Sequence, residues 1–338
     1  MVEKQAPGAT IIPIILSSDK TQVTSFGGKS VYPVYVTIGN VPKGIWRKPS
    51  MHAQILLAYL PVSSLDHIDS ATSRRRAVPN LFHLCMRHVF RPIEQAGKTG
   101  AMMKSGDGLI RHCHPILAIF AGDHPEQCLA ACTKVNECPK GTASPNSLRE
   151  NEPCHLCDAG DIIDALGSFN PDKQPEEYIL FCKGVGIKPV VCPFWQFLPY
   201  THIYQSLAPD VLHQLHQGII KHLINWLAEE FGSSELDARC RSMPPNHNIR
   251  HFSKGISKLK RASGKEHSAI AKILLGVIAG LPLSNGRSPG QLLRATQGLL
   301  DFLYLAQLPS HNDDTLKDLD DALSAFHANK SIFIDLKI

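Results

Sequence analysis

Two apolar runs in this chain end on an aspartate. The first, TIIPIIL (10–16), passes through Ser17 and Ser18 to Asp19, and the second, CHPILAIFAGD (113–123), closes on Asp123. Short apolar runs rich in Ile, bounded by turn residues, read as strands that run through a core. A polar residue at the end marks where the strand leaves it. Aspartate in that place is also an ordinary turn residue, because its carboxylate can accept a hydrogen bond from the backbone two positions on. Gly122 and Pro125 suit the same bland role at Asp123, as a turn into a helix over PEQCLAAC. Taken singly, neither residue is evidence of chemistry. Taken together, they deliver two carboxylates to strand ends, where ligand and catalytic groups gather on a rigid frame.

The neighbouring sequence says what that frame is. KTQVTSF (20–26) and SVYPVYVTI (30–38) read as a hairpin joined at Gly27-Gly28, and QILLAYLPV (54–62) as a further short strand. A helix is expected over 78–96, where Val78, Leu81, Phe82, Cys85, Val89 and Ile93 recur at helical spacing, with Pro92 limiting or kinking its end. From 133 to 176 the composition turns to Cys, Pro, Gly, Asn and charge, which reads as an insertion. Beyond about 200 the chain looks helical, with helices near 208–230, 266–281, 289–307 and 313–329, the last opened by Asp313 and Asp314. The expected division is 1–132 as a mixed α/β sheet core, 133–176 as a Cys/Pro-rich insertion, and 177–338 as a helical region.

At 338 residues and 43% hydrophobic, the chain is long enough to bury a sizeable core. Its longest late apolar stretch, ILLGVIAGLPL, falls short of the roughly 20 residues a membrane span needs, so no membrane partner is expected. The expected setting is soluble and intracellular, and there the ten cysteines read as reduced thiols or metal ligands before disulfides. A net charge of +5, spread over 35 basic and 30 acidic residues, permits a nucleic-acid partner without requiring one.

Two converging carboxylates suit hard divalent cations, Mg²⁺ or Mn²⁺, which take oxygen ligands and in pairs clamp both oxygens of a phosphodiester displacement. Three leading strands with an aspartate on the first, a helix, and a strand ending in a second aspartate follow the order of a ribonuclease H-like nuclease or transposase core.

IILSSDKTQVTSFGGKSVYPVYVTIGN, GDHPEQCLAACTK, PFWQFLPYTHIYQSLAPDVLHQLHQGIIKHLINW, PPNHNIRHFSKGIS and LLDFLYLAQLPSH…ALSAFHANKSIFIDL resemble the Plavaka-type transposases of basidiomycete fungi, related to the CACTA/En-Spm group. The resemblance covers nearly the whole chain. It implies a DDE-type catalytic core on a ribonuclease H-like fold, a nuclear location, binding to transposon ends, and metal-dependent DNA cleavage with strand transfer. Under it Asp19 falls on the first catalytic acid and Asp123 on the second. Asp210 and His213, in APDVLHQLHQG, match an Asp-x-x-His motif of the group. Positions i and i+3 share a helix face, so carboxylate and imidazole can address one site, although capping of a helix start explains Asp210 equally well.

The third acid of such cores is expected on a helix beyond a long helical insertion. Residues 204–330 look like that insertion, and Glu229 and Glu230 read as the polar end of a helix instead. The expectation is therefore a C-terminally truncated copy whose third acid lies beyond Ile338. It also starts without the DNA-binding zinc-finger segment that relatives carry upstream.

Cys128, Cys132, Cys138, Cys154 and Cys157 crowd together, and CHLC (154–157) has the spacing that lets two thiolates reach one Zn²⁺. Related sequences resemble CPxC where this chain has CPKG, so Gly141 replaces the second cysteine of the partner pair. Cys138, Cys154 and Cys157 remain as candidate zinc ligands, with His155 as another, beside the plain reading of reduced thiols. Zinc is expected to be weakly held or absent. The basic runs RRR (74–76) and KGISKLKRASGK (254–265) can contact phosphates or simply face solvent. A rival to the catalytic reading is a non-catalytic remnant that binds nucleic acid or another protein. A homo-oligomer is a further candidate state.

Overall fold

The structure, a computed structural model, describes residues 7–24, 28–259 and 262–338. Gly27, part of the expected hairpin connection, and Lys260 and Arg261 of the second basic run lie outside the described residues. The protein is mixed α/β and divides into two compact units: residues 1–148 with 153–209, and residues 149–152 with 210–338. Residues 177–209 thus belong with the sheet and not with the helical block.

In the first unit, strand β1 is Thr10–Ser18, and a two-stranded ribbon, β2 (Thr21–Gln22) with β3 (Ser30–Val31), follows it. The main sheet adds β4 (Pro33–Ile38), β5 (Ile55–Tyr59), β6 (Ala101–Lys104), β7 (Ile110–Ala121) and β8 (Leu207–Ala208). Its order is β5-β4-β1-β7-β6, with β8 also on β7. β4 is antiparallel to β1 and β5 to β4, whereas β7 runs parallel to β1 and β8 parallel to β7. A parallel neighbour requires a crossover, and here it contains helix α1, Ala71–Thr99, packed on β7.

Helix α1 is longer than its periodicity suggests at both ends and contains Pro79 as well as Pro92. Ser70 caps it by accepting a hydrogen bond from the Ser73 amide at 3.3 Å. A proline in a helix interior removes one backbone bond. The helix carries both because Phe82, His83, Met86 and Phe90 form a continuous buried stripe beneath them. Val78, expected on the apolar face, is exposed. Leu16, Val34, Leu117 and Phe120 of the sheet meet that stripe together with Phe194 and Tyr204. The Trp195 indole N–H donates to the Ala130 carbonyl at 2.7 Å, and the Tyr204 hydroxyl to that of Ala131 at 3.0 Å. These two bonds seat the PFWQFLPYTHIY segment against the end of helix α2, His124–Ala130. Helices α3 (Ala159–Gly167) and α4 (Pro175–Gly184) also belong to the unit.

The second unit is helical. It opens with a π-helical stretch, Val211–Ile220, that continues into α5, Lys221–Phe231. There follow α6 (Ser233–Ser242), α7 (Gly264–Ile278), α8 (Gly290–Leu305), α9 (Asp313–Asn329) and α10 (Ser331–Leu336). Leu223, Leu227, Leu236, Ile270, Leu274, Leu299 and Phe333 lie in one apolar core. Among the described residues no helix is long and apolar enough to cross a membrane.

Candidate functional site

β1 and β7 run side by side in one direction, with Ser17 opposite Ala121, so both chains leave the sheet at the same edge. Asp19 and Asp123 each stand two residues past that pair. They line one cleft of about 320 Å³ together with Lys20, Tyr32, Phe82 and Glu126. β1 and β7 are thus neighbouring strands, and the two aspartates that follow them line the same cleft.

Their settings differ. Asp19 is exposed, and among the described residues its carboxylate has only a long contact, 3.4 Å, from the Thr21 hydroxyl. Asp123 is half-buried and caps α2, with Oδ1 accepting the Glu126 amide at 2.9 Å. Oδ2 makes no hydrogen bond among the described residues. The capping role anticipated for Asp123 is thus real, and it leaves one oxygen over.

Glu126 was not singled out by sequence reasoning, yet it holds the floor of the cleft. It is 7% exposed. The Ser18 hydroxyl donates to Oε1, and the Tyr32 hydroxyl lies 2.7 Å from Oε1 and 2.6 Å from Oε2. Burial pushes the Glu126 carboxyl up to about 7; the Ser18 and Tyr32 hydroxyls pull it down, and the charges of Asp123 and Asp19 push it up again. Tyr32 is held above its ordinary range by burial first and by Glu126 second. The neighbouring Gln127 amide donates to the carbonyls of Gly122 (2.8 Å) and Ala208 (2.9 Å), tying β8 to the exit of β7. The available signal was Asp123-x-x-Glu126, the spacing of a helix-start capping pair. What that pattern leaves unsaid is that the glutamate turns inward.

The donors at this edge are carboxylate oxygens, which suit Mg²⁺ or Mn²⁺ and not soft metals. Asp19 and the outer oxygen of Asp123 are open to a cation, whereas both oxygens of Glu126 are already engaged. Among the described residues no three His, Cys, Asp or Glu side chains converge as a ready-made metal cage.

Asp210 and His213 open the second unit. Asp210 caps the π-helical stretch, accepting from the amides of Leu212 (2.8 Å) and His213 (3.2 Å), and its Oδ2 also pairs with His213 Nδ1. The two side chains do meet, in the capping arrangement. Glu230 is spent on Ser284, accepting from its amide at 2.6 Å and its hydroxyl at 3.0 Å.

All ten cysteines are free thiols. Cys128 and Cys132 are fully buried, and Cys132 lies 3.4 Å from the imidazole of His83. Gly141 pairs with Leu156 in an antiparallel bridge, and its amide donates to Cys138 Sγ at 3.1 Å. A Cβ at position 141 would lie 2.5 Å from Cys154 Sγ and 3.8 Å from Cys138 Sγ. The glycine therefore stands among the thiols, where a fourth would project. Burial pushes the Cys157 thiol up to about 11, and neighbouring Cys138 and Cys154 add to the shift.

A family model described as Plavaka transposase matches residues 1–227. The chain belongs to the Plavaka transposase family. It is a transposon-derived protein, and the Plavaka match takes in both aspartates of the sheet edge, Glu126, the cysteine segment and the Asp210–His213 pair. No curated protein matches the chain.

Proposed function

We propose that the first unit is a ribonuclease H-like core of the DDE type and that Asp19 and Asp123 hold a Mg²⁺ or Mn²⁺ ion for phosphodiester chemistry on transposon-end DNA. The supporting observation is the parallel pairing of β1 and β7, in register at Ser17 and Ala121, which brings both aspartates to one cleft. The strand order supports the fold reading: three antiparallel strands, a helical crossover, a short antiparallel edge strand β6, then β7 and β8 parallel to the first. A cation bound there would polarise a phosphoryl oxygen and lower the pKa of a bound water. The chain's own part is to orient that cation through Asp19 Oδ1 and Oδ2 and Asp123 Oδ2, and to keep Glu126 fixed beneath them. Asp210 and His213 serve as an accessory pair, and the nucleus is the compartment that this activity requires.

A second reading is favoured by one observation: among the described residues, only two carboxylates at the edge are open to a cation. On that reading the chain binds DNA without cutting it. Two aspartates supply too little negative charge to fix a pair of dications, so the isolated chain is expected to hold DNA at low salt and not to nick it. Supercoiled plasmid incubated with Mn²⁺ and the protein, beside Asp19→Ala, decides the matter. Equal, background nicking by both is the result that the second reading predicts. Robust cleavage that vanishes in Asp19→Ala would show a complete active site, and no DNA retention even at low salt would remove the nucleic-acid reading.

A further inference from the structure

We infer that Glu126 is a positioning residue, which sets the spacing and orientation of Asp19 and Asp123 from beneath and is not itself a ligand of the cation. The inference rests on the reading of the two aspartates as a cation site.

Two chain segments meet on this one carboxylate, and a third is tied to the same residue through its backbone. Ser18, the last residue of β1 and the neighbour of Asp19, donates to it through its hydroxyl. Tyr32, between β3 and β4, reaches both of its oxygens. Through its own amide, Glu126 holds Oδ1 of Asp123 at 2.9 Å. A shift of Glu126 would therefore move the carrier of each aspartate.

The site is also built to keep this side chain turned inward. Glu126 packs back over Gly122, where a Cβ would lie 2.9 Å from its Cγ and 3.0 Å from its Cβ, so only glycine leaves room for it. Ser18 and Tyr32 are themselves buried, at 3% and 9% exposure. Truncating Glu126 would leave two buried hydroxyls without an acceptor, a more disruptive change than removing all three groups at once. As a ligand, by contrast, Glu126 would have to release bonds that hold the strand ends together. Residues that orient metal ligands in this way typically change metal affinity by tenfold or more when lost.

Glutamine at 126 keeps an oxygen acceptor and the same shape, and hydroxyl rotors can adapt to its amide. The experiment is a Mn²⁺ titration of the full chain followed by electron paramagnetic resonance, for wild type, Asp19→Asn, Glu126→Gln, Glu126→Ala and Tyr32→Phe. Backbone amide exchange across residues 17–20 is measured on the same proteins without metal.

Expected are loss of the site in Asp19→Asn, weakening of about tenfold in Glu126→Ala, a smaller weakening in Tyr32→Phe, and Glu126→Gln within about threefold of wild type. Exchange near Asp19 should rise in Glu126→Ala and stay close to wild type in Glu126→Gln. If Glu126→Gln loses Mn²⁺ as fully as Glu126→Ala, or Tyr32→Phe binds it more tightly, Glu126 is a ligand and the inference is overturned. If wild type and Asp19→Asn bind Mn²⁺ alike, the cation site itself is refuted and the inference goes with it. A Glu126→Ala protein that fails to fold leaves the glutamine and phenylalanine variants to decide.

Discussion

His83 shows how one buried side chain in this core ties stability to pH. It is 1% exposed; its Nδ1 accepts the Phe194 amide at 3.2 Å, and its Nε2 lies 2.9 Å from the Leu129 carbonyl. The ring is therefore neutral, with its proton on Nε2. Burial holds its pKa down to about 4, although the Leu129 carbonyl pulls it up. The unfolded chain takes up a proton near 6.5 while the folded one does so only near 4, so stability present above pH 6.5 is lost as pH falls towards 4. The shift corresponds to about 3 kcal/mol. Thermal melts between pH 7 and 5 should fall more steeply for wild type than for His83→Gln, and parallel slopes would contradict this. At this scale the sequence is partly legible. Asp19 and Asp123 stand out because a charged residue interrupts an apolar run, whereas Ser18, Tyr32 and Glu126 are ordinary residue types whose meeting depends on long-range packing. Gly141 was legible as a missing thiol only against CPxC; its nearness to Cys154 required the fold.

Elements with strong periodicity were legible, and elements held by a single contact were not. The helices near 266–281 and 289–307 lie at 264–278 and 290–305, where each buries a long apolar stripe, and the one near 313–329 lies at 313–329 although it buries only Ala322. Helix α6 was missed because SSELDARCRS buries only Leu236, Asp237 and Cys240. The β6 strand was missed because AMMK is exposed at three of its four positions and gains its order from pairing with β7. Asp237 joins α6 to the loop beyond it: its carboxylate accepts from the amides of Ile256 (2.7 Å) and Ser257 (2.9 Å) and from the Ser257 hydroxyl (2.6 Å). Burial pushes its pKa up, but the Ser257 and Ile256 bonds and Arg241 outweigh it and hold the carboxyl ionised. Replacing Asp237 by Ala leaves those donors unpaired and should lower the stability of the helical unit by about 2 kcal/mol. Urea denaturation read by circular dichroism checks this, and an unchanged midpoint would show that water replaces the carboxylate.

For the molecule as a whole, the mixed α/β class and the location of the sheet were readable from the chain, while the division at Asp210 was not. Nothing in the composition changes there: β8 is only two residues long, and its place beside β7 depends on side chains distant in sequence, Gln127 and Lys140. Of the two basic runs, RRR is partly engaged at the start of its own helix. Arg74 donates to the Ile68 carbonyl at 2.7 Å and Arg76 to the Ser73 hydroxyl at 3.0 Å, so two of the three arginines serve the start of α1. Lys254, Lys258 and Lys265 are exposed and remain open to phosphate. Any DNA retention should therefore weaken steeply with salt, and neutralising these three lysines should make that dependence shallower. Whether Asp19 and Asp123 share one cation can be read directly by letting Fe²⁺ take the place of Mg²⁺ and cut the nearby backbone with ascorbate and peroxide. Cuts confined to the chain around Ser18–Lys20 and Gly122–Pro125, suppressed by excess Mg²⁺ and absent in Asp19→Asn, are the predicted result; cuts elsewhere, or cuts at either segment that survive the substitution, would contradict it.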